Sequence, residues 1–308
     1  MRRPVRVDLS TSIGDVALAS PVLTAAGTSG HGAELSAYFD LSRLGAVVCK
    51  SLAHDAVAGN APPRVYPLGV GMLNSVGLQG PGVARWIDED LPALEATGAA
   101  VVASIWGRTV AEFAAAAELL AEAPASVVAV EVNVSCPNVE DRGHMFAHSL
   151  AATAEAVEAT AAAGRPRWAK LSPNTPELVE IGAAAIGAGA SALVLTNTLL
   201  GAAIDIERRR FTLGAGGGGL SGPALHAVAV RAVAECHQAH PDVPIVGVGG
   251  IARGEDAIEF LLAGASAVEV GTATLADPRA PLRVLEGIER WCARHHVRAV
   301  RDLIGGVQ

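Results

Sequence analysis

The chain has 308 residues, 51% of them apolar and 18% charged, so it can bury a sizeable core and is not a disordered polymer. Lys and Arg number 23 against 31 Asp and Glu, a formal net charge of -8 with no basic run, which excludes nucleic acid and an anionic membrane surface as expected partners. The four cysteines, Cys49, Cys136, Cys236 and Cys292, are too scattered for a CxxC clip, a zinc knuckle or an iron-sulfur motif, so no metal is expected and a reduced, cytoplasmic setting fits.

In chain order, the opening MRRPVRVDLS lacks the apolar core of a secretion signal or membrane anchor. Residues 5–17 read as a hairpin turning at Ile13-Gly14-Asp15, placed to plug one end of the fold. Strands follow at 22–26, 46–50, 100–105, 129–134, 167–171, 192–196, 244–248 and 267–270, with alanine-rich helices between them, for example at 111–122, 149–163 and 176–188. One phrase recurs: a helix-like stretch, Gly-Ala, a β-branched run, then a polar residue or glycine, as in RLGAVVCKS, GAGASALVLTNT and LAGASAVEVGTA. The uncharged run 181–204 is long enough to span a bilayer, but its glycines and its Thr-Asn-Thr make it an apolar helix followed by a buried strand. Eight alternating units predict an α/β fold, a (β/α)8 TIM barrel forming a single domain over 1–308; an open doubly wound sheet is the alternative.

A closed barrel would gather the polar residues at the C-terminal strand ends into one mouth. The glycine turns VGVGGI and VGTAT after the last two strands, with Gly219 to Gly222 in GLSGP, leave backbone N–H groups free for a phosphate; tight turns alone are the bland alternative. Lys50 and Lys170 end buried strands and need an anionic partner, either a ligand or a buried carboxylate such as Glu131. In NVSCPNV, Cys136 sits between Asn133 and Asn138 at a strand end, where a thiol standing in a loop at the mouth could act as base or nucleophile. Asn74 and Asn197 complete a ring of four amides suited to a flat, amide-like ligand such as a pyrimidine.

These motifs, with NSVGLQGPG, KLSPN, NTLLG and GASAVEVGTA, resemble in order those of class 1 dihydroorotate dehydrogenases, most closely the class 1B catalytic subunit, from about Val7 to Leu303. The resemblance implies FMN as cofactor, held by Ala26, Lys50, Ser51, Ser104, Asn133, Lys170 and Thr196, with its phosphate near Gly222, Gly249, Gly250, Gly271 and Thr272. It implies a pyrimidine substrate held by Lys50, Asn74, Ser75, Val76, Gly77, Leu78, Asn133, Asn138, Asn197 and Thr198, and Cys136 as the base at C5 while hydride leaves C6. It further implies a homodimer core and an electron-transfer subunit carrying FAD and an iron-sulfur cluster. Class 2 members instead use serine as base and carry a membrane extension.

The chain departs from the family pattern at Ala26, where a serine is usual, at Ser104, where an asparagine is usual, at Trp106, and in the lid EDRGHMFAHS. Two alternatives therefore stand beside dihydroorotate oxidation: a dihydropyrimidine dehydrogenase acting on uracil or thymine, and an inactive flavin-binding paralogue serving as a scaffold.

Overall fold

The computed structural model describes residues 7–136 and 145–307. Eight parallel strands form its centre: Val22–Thr24, Val47–Val48, Val101–Ile105, Val127–Asn133, Arg167–Lys170, Ala192–Leu195, Ile245–Val248 and Ala267–Val270. Each pairs with its neighbours in sequence, and the eighth returns to the first, with Val268 opposite Val22. The first and second strands meet through a parallel bridge between Leu23 and Ala46 and a bond from the Gly45 amide to the Val22 carbonyl (2.8 Å). That bridge closes the ring, so the chain is a (β/α)8 barrel and not an open sheet.

Helices Val110–Ala121, Leu150–Ala159, Leu178–Gly187, His226–Ala239, Gly254–Ala263 and Ala280–Arg294 pack around the outside. Two start on side-chain caps where the sequence supplies them: Thr109 accepts from the Glu112 amide and Ser149 from the Ala152 amide. The uncharged 181–204 run divides as expected into a helix and a buried strand, and among the described residues no helix is long and apolar enough to cross a membrane.

Successive strand residues alternate between the helices and the barrel interior, and the inward set changes character along each strand. At the N-terminal end Ala46, Val102, Ala129, Trp168, Ala192 and Ala267 form an apolar floor, sealed by Ile13, Val16 and Leu18. Those three belong to the expected hairpin, Thr11–Ile13 paired with Val16–Leu18, which turns at Gly14 (φ 56°). Two residues further along, four of these six inward positions become polar, Ser104, Glu131, Lys170 and Glu269, while Val48 and Val194 stay apolar; all are buried.

The sequence reading did not foresee a four-stranded antiparallel cap over the mouth. Its order is Leu199–Ala202, Gly217–Ser221, Gly71–Asn74 and Val65–Leu68. The cap corrects the reading of Gly219 to Gly222 as a phosphate turn: residues through Ser221 are strand, and only Gly222 (φ 90°) makes the turn. A Cβ at Gly219 would run into the Thr198 side chain, and one at Gly218 into the Asn74 carbonyl, so these glycines serve close strand approach.

Candidate active site

Between the cap and the polar strand ends lies a cleft of about 410 Å3. Lys50 and Ser51 follow the second strand, Asn133 ends the fourth and Ser135 follows it, Lys170 ends the fifth, and Thr196, Asn197 and Thr198 follow the sixth. Gly249 and Gly250 follow the seventh strand, Gly271 and Thr272 the eighth, and Asn74 to Leu78 descend from the cap. At Gly250 (φ 67°) a Cβ would press within 2.9 Å of the Gly222 carbonyl, so the two turns close into a cradle that tolerates no side chain. Thr272 donates to Ser221 Oγ (2.8 Å), tying the cap to that cradle.

The amides are linked before any ligand is considered. Asn197 Nδ2 donates to Asn133 Oδ1 (3.1 Å), which also accepts from the Ser135 amide (3.1 Å). Asn174, in KLSPN, clamps the next segment: its Nδ2 donates to the Thr198 carbonyl (2.9 Å) and its Oδ1 accepts from the Leu200 amide (2.9 Å). The hydroxyls of Ser75, Ser135 and Thr196, by contrast, are buried and have no hydrogen-bond partner among the described residues.

Lys50 Nζ donates to the Gln79 carbonyl (2.5 Å); burial, with repulsion from Arg64, holds its ammonium below the usual lysine range. Lys170 unites both readings of its position. It lines the cleft, and its Nζ lies 3.3 Å from Glu131 Oε2 and 3.0 Å from Glu269 Oε2. Burial disfavours its charge, but the two carboxyls outweigh that and hold the ammonium above the usual range.

Of the expected site residues, Ala26, Lys50, Ser51, Asn74, Ser75, Val76, Gly77, Leu78, Asn133, Lys170, Thr196, Asn197, Thr198, Gly222, Gly249, Gly250, Gly271 and Thr272 all line the cleft. Ser104 does not. It is fully buried one layer below, 2.8 Å from Ser51 Oγ, and donates to Glu131 Oε1 (2.7 Å), because it lies inside the third strand and not beyond its end. Asn138 lies outside the described residues.

Cys136 follows the fourth strand as expected, but its thiol is buried and is not part of the cleft lining. Its Sγ–H faces the carbonyls of Gly107 (3.0 Å) and Asn133 (3.3 Å), and burial pushes its pKa up to about 12. The expected open thiol is thus a covered one. The sequence reading also passed over Ser135 and Ser221, although both stand inside quoted motifs; the unpartnered hydroxyl of Ser135 shows only in three dimensions.

Chemistry gathered at the C-terminal mouth of a closed barrel is the layout of a (β/α)8 enzyme. The chain belongs to the dihydroorotate dehydrogenase family, whose family model, described as Dihydroorotate dehydrogenase, matches residues 8–291. It is 44% identical over 301 residues to the "Dihydroorotate dehydrogenase B (NAD(+)), catalytic subunit" of Alkaliphilus oremlandii, covering 97% of this chain and 99% of the relative. The protein of the same name in Geobacter sp. (strain M21) is 42% identical over 100% of both chains. A "Putative dihydroorotate dehydrogenase A (fumarate)" of Solibacter usitatus is 45% identical over 96% of this chain and 97% of its own length.

Proposed function

We propose that this chain oxidises dihydroorotate to orotate in pyrimidine biosynthesis, with FMN seated in the cleft. The observation that carries the reading is the cleft itself, where a glycine cradle, two lysines and three unpartnered buried hydroxyls face one space. The fit to FMN is specific: the cradle around Gly222, Gly249, Gly250 and Gly271 suits a phosphate, while Lys170, Ser51 and Thr196 suit the polar edge of a flavin. The family match does not favour the uracil alternative.

FMN, when bound, supplies the acceptor for the hydride leaving C6. The chain's own residues do the rest. Asn74, Asn133 and Asn197 orient the pyrimidine through its amide edges, and Lys50 offsets the substrate's carboxylate. Cys136 takes the C5 proton at Sγ as the thiolate, for which the thiol must first lose its own proton to solvent and turn from the Gly107 carbonyl toward the cleft.

A cytoplasmic location, a homodimer core and an electron-transfer subunit with FAD and an iron-sulfur cluster complete the proposal. All four cysteines of this chain are buried and free, which supports placing the cluster on a partner. Exposed Leu200 on the cap, with Ile204 and Phe211 paired in a separate two-stranded sheet, supplies apolar surface for a subunit contact.

The test is stopped-flow reduction of the flavin by dihydroorotate. Cys136→Ala, at matched FMN content, should slow reduction by roughly 10²- to 10⁴-fold, the usual worth of a positioned base. Because the thiol is held protonated up to about 12, only the thiolate fraction reacts. Reduction by the wild type should therefore climb about tenfold per pH unit from about pH 7 to about pH 9, without a plateau. An alanine variant reducing within about threefold of wild type would remove Cys136 from the mechanism. A colourless protein that takes up no FMN would remove the flavin reading.

A further inference from the structure

The fourth, fifth and eighth strands bring three ionisable side chains together inside the barrel, beneath the cleft. Glu131 and Glu269 have no exposed side-chain surface, and Lys170 retains 6%. Fully ionised, the group would hold two carboxylates against one ammonium, a net negative charge in an interior with little water to screen it. Among the described residues no Arg or His enters this cluster, and the only other polar side chain bonded to it is Ser104.

The two carboxyls are not equivalent. Glu131 accepts from Ser104 at Oε1 (2.7 Å), and both its oxygens face Lys170 Nζ, at 3.5 and 3.3 Å. Among the described residues Glu269 has one donor, Lys170 at Oε2 (3.0 Å), and none reaches its buried Oε1. A carboxylate gathers donors, whereas a carboxylic acid needs fewer. The negative charge therefore belongs on Glu131.

We infer that Glu269 is held as the neutral acid and acts as a positioning residue for Lys170, aiming an ammonium at the cleft from a cluster of zero net charge. Burial and the adjacent Glu131 both push the Glu269 carboxyl well above the usual carboxylate range, which agrees with this assignment. In functional terms Lys170 meets negative charge arising in the cleft with only one carboxylate opposing it, and Glu269 fixes its direction. This consequence rests on the flavin reading above; the protonation state does not.

The first measurement uses cofactor-free protein, so that it stands whether or not the flavin reading holds. Infrared spectra should show the carbonyl stretch of a buried carboxylic acid in the wild type, and the band should be missing in Glu269→Gln. A wild-type spectrum without the band overturns the inference.

The second measurement separates positioning from packing. Glu269→Ala removes an acceptor from Lys170 and should weaken FMN binding by roughly fivefold, about the worth of one modest hydrogen bond. Glu269→Gln keeps a neutral acceptor of the same shape and should restore the affinity to within about twofold of wild type, a difference well below that bond. It should also leave the flavin reduction potential where the wild type has it. If Glu269 were ionised, glutamine would delete a buried negative charge and move the potential upward. That outcome, or a glutamine variant no better than alanine, overturns the inference.

Discussion

The floor and the upper layer of the barrel are built on the same strands and differ in what two residues of advance bring. On the fourth strand Ala129 gives way to Glu131, on the fifth Trp168 to Lys170, and on the eighth Ala267 to Glu269. The floor is close-packed apolar matter, closed below by Ile13, Val16 and Leu18. The upper layer has equally little solvent exposure, but beside the apolar Val48 and Val194 it gathers Ser104, Glu131, Lys170 and Glu269, linked by hydrogen bonds and charge. One set of hydrogen-bonded strands thus carries both a stabilising layer and a chemical layer, and a two-residue step along a strand decides which.

Exchanging parts of this comparison should separate stability from chemistry. The largest effect belongs to Lys170→Ala, which leaves the buried Glu131 carboxylate without its counter-charge and Glu269 without its donor. It should lower unfolding free energy by about 3–5 kcal/mol and abolish FMN retention. Denaturant unfolding and the flavin spectrum of the purified variant check both. Trp168→Ala, on the floor, should also cost about 3–5 kcal/mol by opening a cavity, yet the folded fraction should bind FMN with near wild-type affinity. If FMN affinity fell in parallel with stability, the two layers would not be separable.

Gly250→Asp acts on the cradle. Its φ of 67° and its approach to the Gly222 carbonyl leave no room for a side chain, and a carboxylate there would repel a phosphate. FMN affinity should fall by more than about tenfold, read by flavin fluorescence on titration, with a smaller loss of stability. The smallest effect is expected of Ile13→Val in the hairpin plug, about 0.5–1.5 kcal/mol in unfolding free energy with no change in flavin content.

The barrel was legible because buried parallel strands read as short apolar runs and each ended on a recognisable polar residue or glycine. Closure was legible only indirectly, from polar residues at strand ends that one mouth would gather; the Leu23 to Ala46 bridge that makes it is a pairing and not a pattern. The cap escaped for a related reason. Its strands are short and glycine-rich, and Asn74 finds Gly219 from 145 positions away. Ser104 was legible as polar but not as to depth, because the stagger of neighbouring strands, and not its own sequence context, places it under Ser51. The triad was half legible: Glu131 was foreseen as a partner of Lys170, whereas Glu269, in GASAVEVGTA, was read only as part of a motif.

The Ser51–Ser104–Glu131 chain has a grammar. Ser104 owns a single hydrogen and gives it to Glu131, so the hydrogen shared between the two serines at 2.8 Å must come from Ser51. With its proton turned inward and one lone pair offered to Asn133 Nδ2 at 3.5 Å, Ser51 can speak to a ligand only as an acceptor. A ring edge presenting N–H at that point would be welcomed and one presenting a carbonyl turned away. A carboxylate two residues deep in the barrel thereby dictates which way round a flat, nearly symmetric guest can lie.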